Sequence, residues 1–274
     1  MPYIGSSYYS QPIDSNVYDW ARATGYANAD GVRCLSNFVS NLKTNDIWNK
    51  INYLYPFMTD KTDNAGARAQ FSYNLVTPTS GSVATYLNNK STGSIDGYKN
   101  AGSDTFVTPI RGETELSASY HIMLYTTSSV AATDQIDLGT YDGGSEFIYL
   151  IMGRNSNQLG CAINGGNTIF PANTTYTGLQ TVQGKTTGTL SEYYVRKTRY
   201  SNGSYNSTLR GNFKIGIGSF LQTNTSALSA TTKTYQFASF GQWLEQYQVN
   251  IMNDLVNDLQ KNLDYVLGSK RFAP

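Results

Sequence analysis

Residues able to do chemistry are sparse in this chain, and carboxylates lead them. Asp134, Asp137, Asp142 and Glu146 fall in one window, DQIDLGTYDGGSE, and Glu113 and Glu115 in a second. Two carboxylates at a defined separation are what glycoside hydrolysis requires. The same oxygen-rich window, turn-like at both ends, also suits a Ca2+ loop, yet the regular D-x-D-x-D-G pattern with its closing Glu is absent. Solvated turn acids explain the window more simply. The single histidine, His121, lies inside the clearest strand pattern, SYHIMLY. A Ser-His-Asp triad would need it at a strand centre, so the expectation is a histidine satisfied by its packing. A zinc site would need Cys34, Cys161 and His121 to converge, and no ligand pair has the usual short spacing. No phosphate-binding glycine loop is present. The glycines of Ile215-Gly-Ile-Gly-Ser-Phe220 read as part of a strand.

Aromatic stacking is the other route to a sugar ligand. Trp20, Trp48 and Trp243 all fall in segments that read as helical. Together with Tyr55 they are expected to be structural anchors, not sugar platforms. A glycan site on the β region therefore rests on tyrosines. The ligand-binding candidates are Tyr141, Asp142, Glu146, Tyr193, Tyr200 and Tyr205. Tyr205 follows an Asn-Gly turn signal and Tyr141 precedes Asp142.

The elements that must position these residues change period along the chain. Residues 1–13 read as an irregular arm with Tyr3, Ile4, Tyr8, Tyr9 and Ile13 as anchors. Asp14 or Ser15 caps a short helix that Gly25 ends, and Asp30 caps the next. Val32, Leu35, Phe38, Val39 and Leu42 then share a helical face, followed by Ile47, Trp48, Ile51 and Leu54, until Pro56 stops the run. From about Ala67 short β-branched and aromatic segments alternate with turn clusters. Strands are expected near Ala67–Leu75, Thr105–Val107, Ser117–Tyr125, Glu146–Gly153, Gln158–Ile163, Leu190–Arg199 and Asn212–Phe220. Asp142-Gly-Gly, Asn164-Gly-Gly and Ser201-Asn-Gly-Ser supply hairpin turns. Near Phe240 the helical period returns through Tyr247, Ile251 or Met252, Leu255, Leu259, Leu263 and Val266. Gly268 sits at the C′ position, with Lys270 and Arg271 at the negative helix end.

The chain has 274 residues, 14% of them charged, and a net charge of +1. Typical soluble proteins carry about 25% charged residues, so the surface here is built from Ser, Thr, Asn, Gln and 22 tyrosines. That balance argues against nucleic acid and against electrostatic membrane contact. Arg196, Lys197 and Arg199 form a local basic cluster that reads as a solvated strand face. No stretch approaches the roughly 18 apolar residues of a membrane span. The first residues hold no apolar run, so no signal peptide is expected. Cys34 and Cys161 are expected as two buried free thiols, with a disulfide as the alternative if the fold brings their Cα atoms within about 7 Å.

One resemblance covers about Asp14 to Arg271. Leu42-Lys43, Ile47-Trp48, Lys50-Ile51 and Leu54-Tyr55-Pro56-Phe57 resemble a segment that precedes concanavalin A-like, laminin-G-like jelly rolls in structural proteins of tailed phages. Phe237-Ala-Ser-Phe-Gly241, Gln246-Tyr-Gln-Val and the long helix that follows look like the family's closing element, and Tyr98, Gln158-Leu-Gly160 and Tyr200-Ser-Asn-Gly203 agree. The resemblance implies a mostly β concanavalin A-like jelly-roll sandwich, with short N-terminal helices and a C-terminal helix packed at one end. It implies one domain over 14–274: a helical bracket 14–57, a β body 65–238 and a helix 242–267. It further implies a virion protein of head-fibre, decoration or tail-tip type, made in the bacterial host cytoplasm. Its partners would be other virion proteins, further copies of itself and a host-surface glycan. The E-x-D-x-x-E signature of concanavalin A-like glycosidases is missing, so no hydrolysis is expected. No metal ligands carry over, which leaves Ca2+ open and no cofactor expected. The alternative is a carbohydrate-binding module or a depolymerase acting on host polysaccharide.

Overall fold

The computed structural model describes residues 12–79, 82–88, 92–100, 105–111, 119–127, 136–141, 147–154, 158–163, 166–171, 177–185, 190–204, 214–223, 226–228 and 233–272. Asp14 accepts from the Asn16 amide at 3.0 Å and caps α1 (Ser15–Thr24). Gly25 ends that helix at φ 65°, a left-handed conformation that costs glycine little. Asn28, not Asp30, caps α2 (Ala29–Thr44), accepting from the Gly31 amide at 2.8 Å. Asp30 lies in the first turn, where its charge suits the helix dipole instead.

Two expected elements change type. Ala67–Leu75 was expected as a strand, but Asn64–Phe71 is a helix, α3. The Asp63 side chain caps it at 2.7 Å from the Gly66 amide, and three alanines favour the helix. The expected helical face through Ile47 and Leu54 shrinks to a 3-10 turn, Trp48–Lys50, followed by strand β1 (Ile51–Tyr55). A bulge between Ile51 and Tyr53 lets Ile51 and Leu54 bury on the same side, which mimics helical spacing in the sequence.

Short strands follow: β2 (Thr85–Tyr86), β3 (Thr92–Ser94), β4 (Gly97–Lys99), β5 (Phe106–Arg111), β6 (Ser119–Thr126), β7 (Leu138–Tyr141), β8 (Phe147–Arg154), β9 (Gln158–Ile163) and β10 (Gly166–Pro171). After them come β11 (Gly178–Lys185), β12 (Leu190–Val195), β13 (Thr198–Ser204), β14 (Lys214–Ile217), β15 (Phe220–Thr223), β16 (Ser226–Leu228) and β17 (Thr234–Gln242), and then helix α4 (Gln246–Leu267). The expected strand Leu190–Arg199 is a hairpin that turns at Arg196-Lys197, with Arg196 at φ 57°. Ser201-Asn-Gly-Ser, expected as a turn, lies inside β13. The run Asn212–Phe220 breaks at Gly218, φ 87°, into β14 and the start of β15.

The strands form two sheets. Sheet A runs β13-β12-β11-β6-β17-β4-β3, with β1 beside the far half of β17. Sheet B runs β10-β9-β8-β7-β14-β5-β2, with β15 and β16 attached at β7. Among the described residues pairing is antiparallel except between β15 and β7. Alternation along the central strands makes two cores. Tyr120, Ile122 and Leu124 of β6 meet Phe106, Ile110, Leu138, Ile215 and Ile217 of sheet B between the sheets. Met123 and Tyr125 point the other way, with Leu179, Tyr194 and Phe237, into a second core capped by the helices.

The helices thus cover the outer face of sheet A, where the expectation set them at one end. α2 packs against both α1 and α4. The buried stripe of α4 is Val249, Met252, Val256, Leu259 and Leu263: Met252, Leu259 and Leu263 bury as expected, while Val249 and Val256 take the places expected for Tyr247 and Leu255. Tyr247 is 60% exposed. Gly268 caps α4 in the left-handed region, as expected. Arg271, expected at the helix end, is instead fully buried. Its guanidinium donates to the carbonyls of Pro56 (2.8 Å), Phe57 (3.0 Å), Ile95 (3.1 Å) and Gln236 (2.8 Å), and to Gln260 Oε1 (3.0 Å). Every donor of the fork is used. The C-terminal segment therefore clasps the end of β1, the β3–β4 turn and the β17 bulge at Gln236.

Candidate functional site

The candidate site lies where β11, β12 and β13 close one side of sheet A. Val182, Tyr193 and Tyr200 stand in one row across the three strands, because Val182 pairs with Tyr193 and Tyr193 with Tyr200. Their side chains face the space between the sheets. The Tyr193 and Tyr200 rings are 6.3 Å apart and tilted by 43°. Tyr193 is buried and its hydroxyl donates to Gln180 Oε1. Tyr200, on the edge strand, is half-buried and packs against the same core. β10, the edge strand of sheet B, approaches β13 here. Gln180 is fully buried, and its Nε2 has no hydrogen-bond partner. An unpartnered buried amide costs about 1–3 kcal/mol, and Gln180 carries one on this side of the sandwich.

The opposite face of the same strands is polar and closed. Arg199 bridges Glu192 at 2.6 Å, and Glu192 Oε2 also accepts from the Tyr194 hydroxyl (2.6 Å) and Gln183 Nε2 (2.8 Å). Gln183 Nε2 also donates to the Leu244 carbonyl at 2.9 Å. Burial first, and then the Glu192 carboxylate, push the Tyr194 phenol well above its ordinary value. Lys197 pairs with Asp254 of α4 at 2.6 Å. Two members of the expected basic cluster are thus paired with acids, and Arg196 bonds to Thr177.

The remaining sequence candidates separate into groups. Tyr141 ends β7 in sheet B, opposite Phe147. Asp142, Glu146 and Tyr205 lie outside the described residues, as do residues 1–11 of the arm. Asp137, from the same acidic window, is buried in an ion pair with Lys233 at 3.0 Å and accepts from the Tyr235 hydroxyl at 2.6 Å. It therefore faces an ammonium, while Asp134, Asp142 and Glu146 of the same window lie outside the described residues. Among the described residues, no three His, Cys, Asp or Glu side chains gather to hold a metal ion. His121 is fully buried on the helix-facing side of β6. Its Nδ1 lies 2.5 Å from the Gln242 carbonyl and its Nε2 3.1 Å from the Ser239 hydroxyl. Both nitrogens are engaged within the fold, so the histidine is satisfied by its packing, as expected. Cys34 is a buried free thiol of α2, while Cys161 belongs to β9 in the other sheet. No helix among the described residues is long and apolar enough to cross a membrane.

The anchors also divide. Trp20 and Tyr55 are fully buried. Trp48 and Trp243 are half-buried, not core residues. The Lys43 ammonium lies 5.4 Å from the centre of the Trp48 ring. Gln180 and the buried role of Arg271 escaped the sequence reading. For Gln180 the only signal was a polar residue on the apolar face of a strand.

No protein-family model and no curated protein matches the chain. Solved structures do. Domain 4 of an extracellular arabinanase from Geobacillus stearothermophilus, in complex with arabinotriose, is 13% identical, with a TM-score of 0.51 over 74% of this chain and 98% of that one. A botulinum neurotoxin type C structure, described by its dependence on two ganglioside molecules for cell entry, is 10% identical, with a TM-score of 0.52 over 77% of this chain and 53% of that one. A NanB sialidase from Streptococcus pneumoniae matches at 13% identity and a TM-score of 0.40, over 48% of this chain and only 23% of its own length. The likeness is one of fold. It agrees with the expected mostly β sandwich of jelly-roll type, with short helices and a C-terminal helix.

Proposed function

We propose that this chain is a non-catalytic carbohydrate-binding module. The observation that carries the reading is the Tyr193–Tyr200 ring pair at the edge of sheet A, with the buried Gln180 amide held by the Tyr193 hydroxyl and its Nε2 unpartnered. Stacking on a ring plus a few placed hydrogen bonds is the general chemistry of sugar recognition. The shared fold with a domain solved bound to arabinotriose supports the same class of ligand. Binding without turnover is supported by the two buried carboxylates among the described residues. Asp137 faces Lys233, and Glu192 is held by Arg199, Tyr194 and Gln183. The ligand we assign is a neutral glycan that stacks on Tyr200 and offers a hydroxyl to Gln180 Nε2.

The test is a glycan array followed by calorimetry on the folded protein. Tyr200→Ala and Gln180→Leu are expected to lower affinity at least tenfold, with Trp48→Ala unchanged. Binding that survives both site variants, or no binding to any neutral glycan, rejects the proposal.

A second reading concerns where the module is displayed. On the resemblance of Leu42–Phe57 and Phe237–Val249 to tailed-phage structural proteins, we propose display on a virion, as an oligomer, for adhesion to the host surface. The helical layer is the natural mount, because it covers sheet A's outer face and leaves the sandwich edges to meet a ligand. Mass spectrometry of purified particles tests this, and absence of the chain from intact virions removes it.

A further inference from the structure

We propose that Lys233 and Asp137 condense into an intramolecular isopeptide bond that staples the two sheets together. Lys233 directly precedes β17 in sheet A, and Asp137 directly precedes β7 in sheet B. They are 96 residues apart in sequence. Their side chains are 1% and 0% exposed, with Nζ 3.0 Å from Oδ2. The Tyr235 hydroxyl donates to the other carboxylate oxygen, Oδ1, at 2.6 Å. Around the pair the backbone is fixed. Gly218 N donates to the Asp137 carbonyl at 2.7 Å, and Asn100 N donates to the Lys233 carbonyl at 3.1 Å. Asn100 Nδ2 donates to the Gly218 carbonyl at 2.5 Å, and Asn100 Oδ1 is a buried acceptor without a partner.

This arrangement holds an amine against a carboxyl group with water shut out. Burying two charges is costly, and condensation to an uncharged amide removes both. Fixed contact between reactants replaces a bimolecular encounter. The proton first passes from Nζ to Oδ2 along their hydrogen bond. The Nζ lone pair then attacks Asp137 Cγ, and a C–N bond forms. Negative charge gathers on Oδ1, where the Tyr235 hydroxyl already donates and stabilises it. A proton moves from nitrogen to the Oδ2 hydroxyl, the C–O bond breaks, and one water leaves. An ammonium and a carboxylate become an amide and a water. No oxidant, reductant or cofactor is consumed.

Intact-mass measurement of the purified, folded full chain under denaturing conditions tests this. The expected mass is the sequence mass less one water, with a branched peptide joining the segments of Lys233 and Asp137 after proteolysis. Lys233→Met should restore the full sequence mass. Tyr235→Phe, which keeps the ring, should leave a mixture of linked and unlinked chains. A wild-type chain at full sequence mass overturns the proposal, and this holds whether or not a variant folds. A loss of one ammonia, with the branch at Asn100, overturns Asp137 as the electrophile.

Discussion

Acidification should destabilise this protein through one side chain. His121 is the only histidine in the chain and is fully buried. Burial holds its pKa down to about 4, against an ordinary 6.5. The Gln242 carbonyl pulls the other way, and the nearby positive charge of Lys50 adds to the depression. The folded protein thus keeps the ring neutral through the range in which the unfolded chain takes up a proton. The stability that depends on this is fully present above pH 6.5 and is lost as pH falls toward 4. A gap of about 2.5 pH units corresponds to about 3 kcal/mol in all, and about 2 kcal/mol of it is spent by pH 5. Between pH 7 and 5 few ordinary carboxylates titrate, so that window isolates the histidine. Urea unfolding at pH 7 and pH 5 measures the loss directly, and a folded His121→Gln variant should show a much smaller pH dependence. Equal stability at both pH values, or an imidazole that titrates near 6.5 by NMR in the folded protein, would refute the reasoning.

Three further outcomes follow from the packing and the candidate site. Arg271→Met should lower unfolding stability by about 3–5 kcal/mol, because it leaves the carbonyls of Pro56, Phe57, Ile95 and Gln236 buried without their donor. Arg271→Lys should recover only part of that, since one ammonium cannot span the fork. Trp20→Ala, in the helix-capped core, should cost about 3–5 kcal/mol, and Trp48→Ala, at a half-buried site, roughly half as much; denaturant midpoints give the ratio, and equal costs would remove the distinction between the two anchors. Tyr200→Ala and Gln180→Leu should weaken neutral-glycan binding at least tenfold, read by calorimetry, while the far-UV spectrum stays unchanged.

Local signals explain what was legible in the sequence. Asp14, Gly25 and Gly268 act within one turn of a helix, so type and spacing disclosed them. The β6 alternation was equally clear, because both of its faces are buried against different layers. The errors came where a non-local partner decided the outcome. Ile51–Tyr55 has helical spacing, yet β17 offers it a ladder, and a bulge reconciles the two periods. Asn64–Phe71 has few large apolar residues, and its type was decided by a cap at Asp63 that was overlooked. Arg271 is the extreme case. Its acceptors lie up to 215 residues away and are all backbone or amide oxygens, which carry no residue signature.

The same division bears on function. Tyr193 and Tyr200 could be named from the sequence as aromatic residues in a β region, but only pairing shows which face they share. The β12–β13 turn at Arg196-Lys197 puts them directly opposite each other, facing between the sheets. A turn at Ser201-Asn-Gly-Ser, as the sequence suggested, would have set Tyr200 beyond the strand end. Gln180 acquires its role only through that register, because the Tyr193 hydroxyl takes its oxygen and leaves its nitrogen unsatisfied. Reversing the amide moves the unpaired atom from nitrogen to oxygen without removing it. A polar group kept unpaired inside an apolar row works against stability. Replacement by Leu removes the unpaired nitrogen but also the acceptor of the Tyr193 hydroxyl, two effects of about 1–3 kcal/mol each that oppose one another, so fold stability should change little while affinity falls. A Gln180→Leu protein that is both less stable and equally good at binding would place Gln180 in the architecture alone.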